Sequence, residues 1–213
     1  MGYAQNDIDL KFIKYFDFKN GFFIEAGAND GLIQSNTCLL EKEYNWTGLL
    51  VEPNPFKAKE CVINRPNSIV ENCALVSSTY GRDFIEGDFS HNDIEKSLSS
   101  MVLDKGDFFD EKLLYYKDFA VKNYNINVVQ AFTLNFLLEK HNIKHIDFIS
   151  LDVEGYEISV LNGLDFIKFS PTYFLIETTT LENRRTSIFN YMKDKNYEVI
   201  EEISCNDFLF KKI

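Results

Sequence analysis

Short apolar segments that fit β-strands alternate with helical segments along this chain, and this alternation limits the fold more than any other feature. Five strands are predicted before the C-terminal region, at Phe22–Ala26, Thr47–Val51, 68–76, 146–151 and 173–176. Helices are predicted between and after them, at 33–44, 56–63, 134–141, 158–161 and 184–195. Strands that alternate with helices form a mostly parallel sheet with helices on both faces.

The end of the chain departs from this alternation. Two strands are predicted at 197–203 and 208–211, and only residues 204–207 separate them. Neighbouring strands with so short a connection pair antiparallel. A hairpin added to a parallel sheet is the arrangement of the Rossmann-like class I methyltransferase sheet rather than of a simple dinucleotide-binding domain. We therefore expect an α/β fold with a mostly parallel seven-stranded sheet and an antiparallel C-terminal strand.

Length and charge exclude several functional classes. The chain has 213 residues, which suits a single domain. It carries 33 Asp and Glu against 22 Lys and Arg, a formal net charge of −11. Nucleic acids and anionic membrane surfaces attract the opposite charge, so we expect neither as a partner. No apolar run reaches the ~18 residues of a membrane-spanning helix, and no membrane insertion is expected.

The cysteines and the N-terminus indicate a cytoplasmic location. The sequence has four scattered cysteines and no CxxC pair, at Cys38, Cys61, Cys73 and Cys205. This usage favours reduced thiols over a disulfide framework or a zinc site. No signal peptide is expected, because the N-terminus lacks a basic start followed by an apolar core.

One stretch, about 81–127, interrupts the alternation. It is polar, rich in Asp and rich in aromatic residues. We interpret it as an insertion over the carboxyl edge of the sheet, where open α/β folds bind ligands. The prediction is one domain over residues 1–213, with this insertion on the acceptor side.

A glycine turn follows the first predicted strand, and it is the strongest local signal for a ligand. Glu25 lies just before the glycines, Gly27 and Gly31 let the backbone approach a ligand closely, and Asn29 stands where a dinucleotide motif has its second glycine. Glu25 suits a cation such as a ligand ammonium better than a phosphate. The alternative is a tight strand–helix turn with no ligand.

An acidic residue, Glu52, ends the second strand 25 residues after Gly27. A carboxylate at this place can accept hydrogen bonds from both hydroxyls of a ribose. A solvated turn residue is the other interpretation, but the preceding glycine turn favours the ribose.

Three further carboxylates lie at neighbouring strand ends. Asp152 and Glu154 follow the predicted strand 146–151, and Glu177 follows the next one. Like charges this close repel each other unless a cation or a proton relieves them, so the group indicates a functional site. Glu154 and Glu157 also fit acids at the start of a helix, which the helix dipole favours; we assign Glu157 that role.

These residues resemble the FkbM family of S-adenosylmethionine-dependent methyltransferases. The resemblance covers about 22–177, and the segments that carry it are 24–31, 34–37, 49–55, Thr133–Leu134 with 146–149, and 151–157. It implies a Rossmann-like methyltransferase fold and O-methylation, often of sugars in glycans or glycosylated metabolites. It also implies that the chain is fused to, or works with, a glycosyltransferase.

The resemblance also implies roles for particular residues. The methionine part of S-adenosylmethionine would lie against Glu25, Gly27, Asn29 and Gly31, with Ser35, Asn36 and Thr37 close by. Glu52 would bind the ribose, and Asn72, Cys73 and Ala74 would lie near the adenine. Ala26, Pro53 and Asp152 complete the cofactor-binding set. Ser97, Ser99 and Ser100 are further candidates for contact with cofactor or acceptor.

The expected chemistry needs a group that handles the proton of a sugar hydroxyl, which is a weak acid. We expect Asp152 to be the base, assisted by Glu154, with His91 as the next candidate. Asp152 with Glu154 or Glu177 could instead hold Mg²⁺, since that ion prefers oxygen ligands.

Two other functions compete with this interpretation. A nicotinamide-dependent oxidoreductase or nucleotide-sugar enzyme is disfavoured by the missing middle glycine. The Tyr-x-x-x-Lys spacing of Tyr191 and Lys195 falls on a predicted peripheral helix, and Tyr156 is followed four residues later by Val160. A cofactor-binding module without catalysis is disfavoured by the acids at three strand ends.

Overall fold

The computed structural model describes residues 2–88, 101–102, 126–178 and 182–213. Its strands are β1 Phe22–Ala26, β2 Thr47–Val51, β3 Ile69–Glu71, β4 Ala74–Leu75, β5 Phe84–Asp88, β6 Met101–Val102, β7 Ile126–Phe132, β8 Phe148–Leu151, β9 Tyr173–Glu177, β10 Tyr197–Glu202 and β11 Asp207–Lys212. Its α-helices are α1 Ile8–Phe12, α2 Cys38–Tyr44, α3 Pro55–Asn64, α4 Leu134–Lys140, α5 Glu157–Asn162 and α6 Glu182–Asp194.

The main sheet has seven strands in the order β10-β11-β9-β8-β1-β2-β3. Five neighbouring strands of this sheet, β9, β8, β1, β2 and β3, pair parallel, whereas β11 pairs antiparallel with both β9 and β10. The predicted α/β fold with an antiparallel C-terminal hairpin is therefore confirmed. Because parallel strands all end at one edge, this sheet collects the residues that follow β1, β2, β8 and β9.

The two faces of the main sheet bury separate apolar cores. Side chains alternate across β1, so that Ile24 joins the core under α4, α5 and α6, while Phe23 joins the core under α1, α2 and α3. Both side chains are fully buried. Helices cover both faces, as the alternation predicts. No helix in the described parts of the chain is long and apolar enough to cross a membrane.

Two predicted elements are wrong in their extent. The helix expected at 33–44 begins at Cys38, because Ser35, Asn36 and Thr37 direct their hydrogen bonds to the Glu25 carboxylate instead of continuing a helix upstream. The strand expected at 68–76 divides into β3 and β4, which belong to different sheets.

The second sheet, in the order β4-β7-β5-β6, includes parts of the stretch 81–127. β5 pairs antiparallel with β7, and β7 continues past the predicted boundary to pair parallel with β4. A small core that includes Ile85 and Val129 packs under this sheet. His91, Ser97, Ser99 and Ser100 lie outside the described residues. The division into one domain with an insertion stays a prediction.

Candidate functional site

The residues singled out by the sequence form a row across the carboxyl edge of the main sheet. Gly27, Glu52 and Asp152 each lie one residue beyond the last registered pairs of β1, β2 and β8. Glu177 ends β9 and is registered opposite Asp207, the first residue of β11. We call the two parts of this row the β1–β2 half and the β8–β9–β11 half.

The glycines of the turn after β1 give the protein room to pack against itself. Gly27 has φ +85°, and a Cβ there would lie 1.8 Å from the carbonyl oxygen of Asp152. Gly31 has φ +76°, and a Cβ there would lie 2.9 Å from Cγ of Arg65. Side chains other than hydrogen are therefore excluded at both positions by protein atoms. The sequence interpretation gave this space to a ligand, whereas the neighbours are protein.

The Glu25 carboxylate is buried and fully engaged by the loop before α2. It accepts hydrogen bonds from Ser35 Oγ at 2.8 Å, from the Asn36 amide at 2.7 Å and from Thr37 Oγ1 at 2.6 Å. Arg65 Nη1 lies 3.5 Å from its Oε2. The structure thus brings Glu25 together with Ser35, Asn36 and Thr37, which were predicted close to the methionine end, and it does so through the Glu25 carboxylate.

Glu52 ties the β2 end to the glycine turn. Its Oε2 accepts from the Asn29 amide and its Oε1 from the Asn54 amide, each at 2.8 Å. Burial raises the pKa of Glu52 to about 7, although those amides favour the ionised form. Each carboxylate oxygen keeps one lone pair for a further donor.

Asn29 has φ +50°, and its side-chain oxygen is buried without a hydrogen-bond partner in the described parts of the chain. An unsatisfied buried acceptor is costly unless a ligand or water donates to it. The atom therefore fits a donor group bound in the turn.

The remaining predicted cofactor residues divide between the rim and the core. Asn72 Nδ2 donates to the carbonyls of Glu52 at 2.8 Å and Pro53 at 2.9 Å, so it steadies the turn after β2. The Cys73 side chain lies in the core, where burial raises the pKa of its thiol to about 12. Ala74 in β4 and Ala26 in β1 are also buried.

Carboxyls in the β8–β9–β11 half face one another. Asp152 follows β8 and Glu177 ends the neighbouring strand β9, with Leu151 and Ile176 as the last registered pair between the two strands. Burial raises the pKa of Asp152, and burial and the Asp152 charge raise the pKa of Glu177. Asp207 adds a third acid whose pKa is also raised by burial. The Asp152–Glu177 pair is therefore arranged to share a proton.

The turn after Asp152 places two other glutamates differently. Glu154 has φ +55° and an exposed side chain, and its charge raises the pKa of Glu177. Glu157 begins α5 and accepts from the amides of Val153 at 3.3 Å and Gly155 at 3.0 Å. Burial raises the pKa of Glu157 to about 7. It is the helix-start acid that the sequence predicted, and it also stabilises the turn.

Metal binding by Asp152, Glu154 and Glu177 gains no support from their arrangement. In the regions that the structure describes, no three Asp, Glu, His or Cys side chains converge closely enough to hold a metal ion.

Sequence reasoning missed Asp207 and Arg65. The predicted hairpin could have indicated Asp207, because a strand antiparallel to β9 begins at the edge where β9 ends. Arg65 is fully buried and binds Glu41 Oε2 at 2.7 Å. No local pattern in the sequence marks that arginine as buried.

The strand order and the antiparallel C-terminal hairpin give the chain the Rossmann-like fold of class I methyltransferases. Comparison with known families agrees: the family described as "Methyltransferase FkbM domain" matches residues 25–199. The chain belongs to this family of FkbM methyltransferase domains. No curated protein sequence matches the chain significantly.

Comparison with solved structures finds one that shares the fold and two weaker superpositions, all at very low sequence identity. Precorrin-6y C5,15-methyltransferase from Geobacter metallireducens GS-15 superposes with a TM-score of 0.52 at 8% identity, over 98% of this chain and 88% of that one. An S-adenosylmethionine-dependent methyltransferase from Geobacter sulfurreducens, in complex with S-adenosyl-L-homocysteine, gives 0.44 at 8% identity over 94% and 67%. Human methyltransferase 10 domain containing protein gives 0.46 at 8% identity over 95% and 80%. Only the first score supports the fold assignment.

Proposed function

We propose that the chain is an O-methyltransferase that moves the methyl group of S-adenosylmethionine to a sugar hydroxyl of a glycan or glycoconjugate. The observation that carries this proposal is the position of Asp152 and Glu177 at neighbouring strand ends, with the Asp152 backbone packed against Gly27 of the glycine turn. A hydroxyl acceptor must lose a proton when its oxygen gains a methyl group, and these carboxyls are the proton acceptors nearest to that turn at the carboxyl ends of β8 and β9.

The β1–β2 half fits the cofactor. When bound, S-adenosylmethionine supplies a methyl group already activated on a sulfonium. The free lone pairs of the Glu52 oxygens suit the ribose hydroxyls, and the unsatisfied oxygen of Asn29 suits the ammonium of the methionine part. Asn72 keeps Glu52 at the rim by binding the backbone of its turn.

The chemical step asks two things of this chain. It has to hold the acceptor oxygen in line with the sulfur–methyl bond, and it has to take the hydroxyl proton. S-adenosylmethionine would supply the methyl group to the acceptor oxygen and leave as S-adenosylhomocysteine, and Asp152 in its ionised form would take the hydroxyl proton. The raised pKa of Glu177 keeps its carboxyl protonated beside that carboxylate.

The acceptor assignment rests on the stretch 81–127. Neutral sugars are bound by acids, amides and aromatic faces together, and the sequence of this stretch offers all three. Its polar candidates are Asp83, Asp88, Asn92, Asp93 and Asp107. We also propose that the chain works with a glycosyltransferase, has no nucleic-acid partner and acts in the cytoplasm.

Transfer of labelled methyl groups tests the proposal. The enzyme is incubated with methyl-labelled S-adenosylmethionine and parallel acceptor pools: neutral oligosaccharides, acidic oligosaccharides, phenols, amines and tRNA. We expect label in an oligosaccharide pool, in an alkali-stable ether that mass analysis locates on a sugar residue. Label only on an amine, a phenol or a carbon atom would overturn the O-methylation of sugars and leave the methyltransferase class intact.

Replacing residues 89–125 by a short Gly/Ser linker tests the acceptor side. Asp88 and Ile126 are registered partners in β5 and β7, so a short hairpin can close the cut without removing either strand. We expect loss of acceptor turnover, with affinity for S-adenosylhomocysteine within about tenfold, or ~1.4 kcal/mol, of the wild type. Unchanged methylation of the same acceptor would move acceptor recognition to the helix after Asp152.

A further inference from the structure

Three successive backbone carbonyls of the glycine turn accept hydrogen bonds from side chains at the C-terminal end of helix α3. The carbonyl oxygens of residues 29–31 each accept from a different side chain at the end of that helix. The donors are, in order, Cys61 Sγ at 3.0 Å, Asn64 Nδ2 at 2.8 Å and Arg65 Nη1 at 3.1 Å. Three consecutive carbonyls therefore point at α3, which fixes the peptide planes of the turn.

Arg65 extends this hold to the other end of the loop. Its Nη2 donates to Thr37 at both the carbonyl, 3.3 Å, and Oγ1, 3.1 Å, and its Nη1 donates to Ser35 Oγ at 3.1 Å. The guanidinium lies between two buried glutamates, with Nε 2.7 Å from Glu41 Oε2 and Nη1 3.5 Å from Glu25 Oε2. One fully buried side chain thus contacts the loop from 27 to 37 at Gly31, at Ser35 and at Thr37.

The shape of the site requires an arginine. The guanidinium carbon lies 5.1 Å from the ring centroid of Phe23, and Gly31 leaves space for the side-chain stem. A planar fork can donate from all three nitrogens while it stacks on a ring. A lysine ammonium is a compact point charge and cannot reach Glu41, Gly31 and Thr37 together. The charge of Arg65 also offsets carboxylates that would otherwise be buried without a cation.

We propose that Arg65 is a positioning residue for cofactor binding, which holds the loop from 27 to 37 in the conformation that receives the methionine end of S-adenosylmethionine. This inference rests on the proposed function, because that function assigns the loop to the cofactor. The hydrogen bonds of Glu52 and Asn72, which the proposed function assigns to the ribose end, go to the Asn29 and Asn54 amides and to the Glu52 and Pro53 carbonyls, and none of them involves Arg65. Loss of the guanidinium fork therefore weakens the methionine end selectively.

Two ligands that differ only at the methionine end provide the test. S-adenosylhomocysteine has the amino-acid part, and 5′-methylthioadenosine lacks it. Titration calorimetry measures both affinities for the wild type and for Arg65→Lys, which keeps the charge and loses the fork. We expect S-adenosylhomocysteine to bind at least about tenfold more weakly and methylthioadenosine less than about threefold more weakly. Hydrogen exchange at the Asn36 and Cys38 amides should become faster in the same variant.

A matched control is Arg185→Lys. Arg185 also donates to a backbone carbonyl, of Cys205 at 2.6 Å, and also stacks on a ring, of Phe208 at 4.8 Å. It lies away from the loop, so the ratio of the two affinities should not change. If Arg65→Lys does not fold, Ser35→Ala removes one contact of the fork and should shift the ratio in the same direction.

The outcomes separate the two proposals. An equal loss of both affinities in Arg65→Lys, or no loss, shows that Arg65 only stabilises the fold and overturns the inference. A wild type that binds neither ligand overturns the proposed function itself, and this inference with it.

Discussion

The two halves of the carboxyl edge hold their carboxylates in opposite ways. In the β1–β2 half, Glu25 and Glu52 bind fixed donors: hydroxyls, backbone amides and the guanidinium of Arg65. In the β8–β9–β11 half, Asp152, Glu177 and Asp207 are neighbours of one another, and burial and the charge of Asp152 raise the pKa of Glu177. The same residue types thus stand at the same sheet edge in two electrostatic environments.

This difference indicates a division of labour. Carboxylates that are bound by fixed amides and a guanidinium keep their geometry, which suits a binding surface. Carboxyls that face each other compete for protons, so a small change in their surroundings moves a proton on or off. The first half is built to hold a ligand, and the second half is built to exchange a proton with one.

The largest expected effect tests the proton-exchanging half. Asp152→Asn should lower the rate of methyl transfer by ~10²–10⁴-fold, because the general base is lost. Affinity for S-adenosylhomocysteine, measured by calorimetry, should change by less than about threefold. A matched control is Glu139→Gln, an exposed acid of α4 that binds Lys168 far from this edge.

Near-normal turnover of Asp152→Asn would show that another group takes the proton, and would remove the contrast between the halves. Dialysis of the wild-type enzyme against EDTA belongs to the same experiment. Activity that is lost on dialysis and restored by Mg²⁺ would change Asp152 from a base to a metal ligand.

A second prediction concerns the pH dependence of folding stability, which Glu157 affects from the turn after Asp152. The folded-state pKa of Glu157, about 7, lies above its ordinary value of 4.5. Its contribution to stability is therefore fully present below pH about 4.5 and is lost as the pH rises through about 7. Gln does not titrate, so Glu157→Gln does not lose this stability as the pH rises. The free energy of unfolding of the variant minus that of the wild type should therefore increase by up to ~3 kcal/mol between pH about 4.5 and about 7. Urea unfolding at several pH values measures it, and a constant difference contradicts it.

The third prediction tests the ligand-holding half. Glu52→Ala should weaken S-adenosylhomocysteine binding by ~1–3 kcal/mol, because hydrogen bonds from ribose hydroxyls to a charged acceptor are lost. Calorimetry measures the loss, and Glu60→Gln on the exposed side of α3 is the control. Unchanged affinity, or binding of NAD in place of S-adenosylhomocysteine, would show that this half holds a different ligand.

The smallest expected effect is the pH dependence of ligand affinity in the same half. Because the pKa of Glu52 is about 7, its carboxylate becomes fully charged only above neutral pH. Ribose hydroxyls donate to the ionised form, so affinity for S-adenosylhomocysteine should rise by up to ~tenfold per pH unit below that value and level off above it. The slope should disappear in Glu52→Gln. An equal slope in that variant would assign the titration to another group.

Sequence reasoning reached much of the fold because its signals are local. Five short apolar runs gave the strands β1, β2, β3, β8 and β9, and β2 occupies the predicted residues 47–51. Sequence reasoning failed where a residue distant in the chain determines the local structure. Ser35, Asn36 and Thr37 continue a helical pattern, yet the Glu25 carboxylate takes their hydrogen bonds and delays α2 to Cys38. Between Glu71 and Ala74 the chain passes from the main sheet to the second sheet, and no periodicity in the sequence indicates that change.

For the candidate site, the sequence alone determined which residues meet at one edge, because residues after parallel strands must end together. That reasoning places Gly27, Glu52, Asp152 and Glu177 in one row. Only the tertiary structure decided what each does there. A carboxylate is charged or protonated according to its burial and its neighbours, and these come from Arg65, from backbone amides and from Asp207 on a strand that runs the other way. Hydrophobic pattern is a property of neighbouring residues in the chain, whereas electrostatic environment is a property of neighbours in space.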